Sequence, residues 1–108
     1  MLPKSHRLTR HDLVILRRSG RRFNYLDFSL ITKRTNLGHL RLGVEISTKV
    51  DKRASFRNQL RRLVFSTVQY TPLIAKPFDL LLVIKPEFKR QTDRSLRDFS
   101  YFLNNLPS

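Results

Sequence analysis

The period of apolar and polar positions changes along this chain, and each change marks an element. LRLGVEIS, 40–47, alternates strictly, with Leu40, Leu42, Val44 and Ile46 on one side and Arg41, Gly43, Glu45 and Ser47 on the other. That is the period of a half-buried strand. FNYLDFSLIT, 23–32, alternates in the same way through Leu26, Phe28 and Leu30 and predicts another strand. The TNLGH segment between them, 35–39, carries turn residues, so the two strands are expected to pair antiparallel. The spacing then lengthens. Phe56, Leu60, Leu63, Val64, Thr67 and Val68 recur at helical intervals and predict the main helix over about 53–70.

Three further elements follow from local signals. Thr9 and Asp12 form a capping-box pattern that opens a short helix over about 10–18, and Gly20 stops it. Leu13, Leu16 and one or both of Val14 and Ile15 are expected inward. FDLLLVIK, 78–85, is a short apolar run flanked by prolines, which predicts a central strand buried on both faces. Asp93 can cap a last helix over about 94–106, with Leu96, Phe99, Leu103 and Leu106 inward. The order is α-β-β-α-β-α. It predicts an α+β fold, with helices packed on a small sheet of about four strands. A length of 108 residues suits one compact domain over 1–108.

Charge changes the picture from fold to partner. Twenty-two Lys and Arg against eight Asp and Glu give a net charge of +14, and residues 1–62 hold sixteen of the cations with four of the acids. A folded domain with that imbalance repels itself unless something anionic neutralises it. The candidates are nucleic acid, an anionic membrane surface or an acidic protein. Membrane association is disfavoured, since the apolar helix face is needed for the core and no run reaches the ~18 residues of a span. There is no cysteine, so no disulfide partner is expected.

The cations concentrate in KRASFRNQLRR, 52–62. On a helical wheel with Arg57 at 0°, Arg61 falls at ~40°, Phe65 at ~80°, Asn58 at ~100° and Arg62 at ~140°. The apolar stripe is expected on the opposite side, leaving a basic outer face with an aromatic in it. A solvated face normally mixes signs; this one has no acid, and Lys49 and Lys52 extend it. Arginine forks match phosphate oxygens, and Asn58 suits a ribose hydroxyl or a base edge. Phe65 either stacks on a base or turns inward.

The run LGHLRLGVEISTKVDKRASFRNQLRRLV resembles the protein component of bacterial ribonuclease P. The family features appear as Leu37-Gly38-His39, Arg41-Leu42-Gly43, Ser47-Thr48-Lys49, Lys52-Arg53-Ala54, Arg57-Asn58-Gln59 and Arg61-Arg62. Gln59, Thr48, Phe65 and Ser66 depart from its pattern, and the first helix carries Val14, Ile15 and Leu16 in place of phenylalanines. The resemblance implies a left-handed βαβ crossover through the main helix. It implies a cytoplasmic accessory subunit of an endoribonuclease whose large catalytic RNA subunit performs the chemistry with magnesium, with no cofactor on the protein alone. It implies that Lys49, Lys52, Arg53, Arg57, Asn58, Arg61 and Arg62 contact that RNA. The 5′ leader of precursor tRNA would lie between the sheet and the first helix, lined by Tyr25, Phe28 or Arg41. Phe28 shares a face with Leu26 and Leu30 and is better placed in the core.

Independent catalysis has little support. His6, His11 and His39 lack metal-ligand spacing, the acids are scattered, and Glu45 is expected to pair with Arg41 on its own strand face. No catalytic residue is assigned. The alternative is a ribosomal or other structural RNA-binding protein, which size and charge fit equally well.

Overall fold

The computed structural model describes residues 6–69, 75–90, 94, 97–99 and 101. Its elements run α1 (Arg10–Ser19), β1 (Arg21–Asn24), β2 (Phe28–Arg34), β3 (Arg41–Ile46), α2 (Ala54–Gln69), β4 (Phe78–Ile84) and α3 (Pro86–Arg90). One four-stranded sheet has the order β1-β2-β4-β3. The α+β expectation holds, with two changes in the strands. The stretch read as one strand over 23–32 is a hairpin, β1 turning into β2, and Leu26 is 79% exposed at its turn. The predicted antiparallel pair of 23–32 with 40–47 does not form. β4 lies between β2 and β3, antiparallel to the first and parallel to the second. A strand as apolar as β4 is most stable with neighbours on both edges and cover on both faces, which outcompetes the local turn. The chain reaches it from β3 through α2.

α1 begins as its capping residues require. The Thr9 hydroxyl accepts the Asp12 amide at 3.2 Å, and the Asp12 carboxylate accepts the Thr9 amide at 3.0 Å. It ends at Gly20, whose amide donates to the Leu16 carbonyl at 2.7 Å. The backbone there is extended, with φ −79°, so a left-handed turn is not the reason for glycine. A Cβ would lie 2.6 Å from both the Ile31 side chain and the Leu16 carbonyl, so the close approach of α1 to β2 excludes one. Residues 6–8 run along the outer edge of β3. The Leu8 amide donates to the Leu42 carbonyl, and His6 Nδ1 lies 2.7 Å from the Leu40 carbonyl, which can only accept its proton. The His6 ring stands edge-on to His39 at 4.6 Å.

The sheet is covered on both faces. Phe28, Leu30, Leu42, Leu80 and Leu82 pack with Leu60, Val64, Phe65 and Val68 of α2 and with Phe88 and Phe99. On the opposite face Leu16 packs with Ile31 and Leu81, flanked by Leu8, Leu13 and Val83. Val14 and Ile15 are 47% and 43% exposed, so neither joins the core as anticipated. α3 was not foreseen; Pro86 takes its first helical position, where a missing amide costs nothing. Residues 94, 97–99 and 101 are helical and Phe99 is buried, as expected of the last helix, while Asp93, Leu96, Leu103 and Leu106 lie outside the described residues.

Candidate nucleic-acid interface

The cationic stretch 49–62 forms the loop after β3 and the first turns of α2. Ser47 starts the loop, its carbonyl accepting the Val50 amide at 3.1 Å and its hydroxyl the Lys49 amide at 3.2 Å. Val50 and Asp51 then turn inward and are buried, while Lys49 and Lys52 stay exposed. The Asp51 carboxylate accepts the Arg53 amide at 2.8 Å and its Nε and Nη2 at 3.1 and 2.9 Å. This bonding raises the Arg53 pKa. The guanidinium also lies 5.4 Å from the Phe56 ring centroid. Arg57 Nη1 donates to the carbonyls of Asp51 and Lys52 at 2.8 and 2.9 Å. Arg61 Nη1 donates to Asn58 Oδ1 at 3.0 Å.

The helix is turned relative to the sequence expectation. Leu60, Val64, Phe65 and Val68 are its buried residues, and Leu63 is 46% exposed. This buried stripe is centred near Arg57, roughly 70° from the stripe through Phe56, Leu60 and Leu63. The larger apolar area of Phe65 wins the inward position. Phe65 is therefore a core residue at 4% exposure, and the assignment of base stacking to it is withdrawn. Arg57 and Arg61 lie on the same side as the buried stripe, in the first turns of the helix, and are half-buried, so they are not on the outer face. Gln59 and Ser66 hold the middle of that face, with the exposed Arg62 and Asn58 beside them.

The second candidate region lies between α1 and the sheet. Arg41 Nε and Nη2 donate to the two carboxylate oxygens of Asp79 at 2.8 and 2.7 Å, and Nη1 reaches Asp12 of α1 at 3.2 Å. Hydrogen bonding to Asp79, then its charge and that of Asp12, outweighs burial and raises the Arg41 pKa. Glu45 pairs instead with Arg17 of α1, correcting the expected Glu45–Arg41 pair. Residues 41 and 45 share a face but stand four positions apart on an extended strand, about 13 Å. A pocket of about 250 Å³ opens here, lined by Ile15, Lys33, Arg34, Thr35 and Arg41 among others. Tyr25 is elsewhere. Its ring lies 4.9 Å from that of Phe28, which belongs to the α2-side core, so Tyr25 and Arg41 do not line one groove. Burial pushes the Tyr25 phenol pKa up. Phe28 is core, as expected. Sequence reasoning missed the Asp79–Arg41–Asp12 clamp and the lysine and arginine at the end of β2. A signal existed: Asp79 is the one charge in FDLLLVI, and an acid inside a buried strand requires a partner.

The sequence matches the family Ribonuclease P over residues 2–106. The chain belongs to the ribonuclease P protein family. It is 32% identical to the ribonuclease P protein component of Nostoc sp., over 79% of this chain and 77% of that one. The corresponding protein of Legionella pneumophila is 27% identical, over 80% and 74% of the two chains. Among solved structures, the ribonuclease P protein of Thermotoga maritima superposes with a TM-score of 0.80, covering 94% of this chain and 98% of that one at 20% identity. The Staphylococcus aureus protein gives 0.75 over 88% of each at 21% identity. At those identities the structures establish a shared fold, and the sequence match establishes the family. Ribonuclease P is an endoribonuclease of tRNA processing, and this chain is similar to its protein component along most of its length.

Proposed function

We propose that this chain is the protein subunit that binds ribonuclease P RNA through the first turns of α2 and the loop before them. The observation that carries the reading is the surface at 49–62. Lys49, Lys52 and Arg62 are exposed there, and the acid of that stretch, Asp51, is buried. Arg61 and Asn58 are joined to each other, presenting a guanidinium and an amide together. For the 5′ leader of precursor tRNA the groove between α1 and the sheet is the candidate site, where Lys33 and Arg34 supply positive charge for a single strand and Arg41 is already held by Asp79 and Asp12. Phosphodiester hydrolysis is assigned to the RNA subunit, with magnesium. Among the described residues no three His, Cys, Asp or Glu side chains gather into a metal set. Among them too, no helix is long and apolar enough to cross a membrane. The reading places the protein in the cytoplasm with its RNA.

Reconstitution tests this directly. Added to ribonuclease P RNA at limiting magnesium, the protein should restore release of the leader and formation of mature tRNA 5′ ends. Binding without any gain in cleavage would favour the alternative of a structural RNA-binding protein. Binding should also be salt-steep. About four to six phosphate contacts give a log–log slope of roughly −3 to −5, and a flat titration would remove the electrostatic account.

A further inference from the structure

We infer that Asp51, although an acid in an RNA-binding surface, is a positioning residue for RNA binding: with Arg53 and Arg57 it braces the loop that presents Lys49 and Lys52. The inference rests on the reading of this region as the RNA interface. Its own basis is the bonding inside the loop. Asp51 takes three donors from Arg53, one from the backbone and two from the guanidinium. Arg57 reaches back from the first turns of α2 to the carbonyls of residues 51 and 52. One nitrogen, Nη1, thus ties the loop to the helix at residue 51 and at Lys52 itself.

The Asp51 side chain is only 5% exposed, whereas that of Arg53 is 67% exposed. The carboxylate is withdrawn from the surface, where it would repel phosphate, while the guanidinium it orients stays accessible. Val50 beside it is buried and fixes the loop from below, so the exposed Lys49 and Lys52 flank an anchored pair. Two arginines of the cationic stretch therefore spend hydrogen-bonding capacity on the protein itself. The gain is that the loop need not be ordered when RNA binds, a cost that otherwise weakens association.

The prediction has an unusual sign. In a protein of net charge +14, removing an acid should by electrostatics alone leave polyanion binding unchanged or tighten it. The brace predicts the opposite. Binding of Asp51→Ala and Asp51→Asn to ribonuclease P RNA is compared with wild type, along with thermal midpoints and amide hydrogen exchange. Asp51→Ala should bind about 5- to 20-fold more weakly, from loosened presentation of two lysines. Asp51→Asn, which keeps one acceptor for the Arg53 amide, should fall between. Exchange should quicken at residues 50–53 while β4 and α2 stay protected. Equal or tighter binding by Asp51→Ala overturns the inference. So does a general loss of protection with a large fall in midpoint, because Asp51 would then support the fold and not the loop. Failure of the wild-type protein to bind this RNA would refute the interface reading instead, so the two failures are distinguishable.

Discussion

On the α2 side of the sheet, Leu30, Leu42, Leu80 and Leu82 meet Leu60, Val64, Phe65 and Val68 in a continuous apolar layer that also takes in Phe28, Phe88 and Phe99. On the α1 side, among the described residues, Leu16, Ile31 and Leu81 are buried together. Leu8, Leu13 and Val83 flank them, and polar attachments add to these: Arg41 to Asp79 and Asp12, Arg17 to Glu45, and Lys33 Nζ to the Ser19 hydroxyl at 3.0 Å. One helix is therefore held by a large area removed from water and the other by a smaller apolar cluster together with charge and hydrogen bonds. Gly43 gives α1 room over β3. A Cβ there would lie 2.8 Å from the end of the Leu13 side chain, which would have to shift to make room. The difference has a functional use. A face held partly by ion pairs leaves cations and open space beside the helix, and an apolar layer leaves neither.

The sharpest way to break this comparison is to cut an equal amount from each side. Leu82 and Leu16 are both essentially inaccessible, at 0% and 1% exposure. Leu82→Ala leaves a cavity walled by packed neighbours and should cost about 3–5 kcal/mol. Leu16→Ala opens beside a polar groove that water and a shifting α1 can fill, so about 2–3 kcal/mol is expected. Urea unfolding of the two variants measures the gap. Equal losses would mean that α1 is held as the other helix is.

Next in size is Arg41→Met. It keeps most of the side-chain volume but leaves Asp79, whose side chain is 10% exposed, without its bidentate partner. A buried carboxylate deprived of its charge-assisted bonds costs about 1–3 kcal/mol. Amides of α1 should exchange faster while those of α2 keep their protection, and leader-dependent binding of precursor tRNA should weaken more than binding of ribonuclease P RNA.

These contrasts also explain what was legible beforehand. The alternation of Leu40 to Ile46, the capping pair Thr9–Asp12 and the apolar run 78–84 are local statements of period and polarity, and each became the element it implied. The sheet order was not legible, because the choice of β4 over β3 as the neighbour of β2 depends on burying a strand some fifty positions later in the chain. The hairpin at Leu26 was hidden because Leu26, Phe28 and Leu30 keep strand parity across the turn. The rotation of α2 turned on one competition, Phe65 against Leu63, which periodicity alone leaves nearly balanced. The density of cations over 52–62 is legible in the sequence itself. What could not be read was the internal bonding of that stretch, since the reach of Arg57 to two loop carbonyls exists only once the loop is folded.

The smallest expected effect concerns Asp12, which serves both the capping box and the clamp on Arg41. Its carboxyl pKa is lowered, first by the Thr9 amide, then by the Thr9 hydroxyl, with the Arg41 charge adding to both against a counteracting burial. A carboxylate whose folded pKa is depressed contributes stability that is fully present above its ordinary value, about 3.9, and is lost as pH falls through the folded value. Asp12→Asn should therefore cost about 0.5–1 kcal/mol at neutral pH, a typical capping loss. Below about pH 4 the difference from wild type should shrink, because the wild-type carboxyl is itself being neutralised. Leu82→Ala, which touches no titrating group, should run parallel to wild type over the same range. An Asp12→Asn curve that also stayed parallel would place the acid sensitivity outside the α1 attachment, and the contrast between a charged face and an apolar one would lose its pH signature.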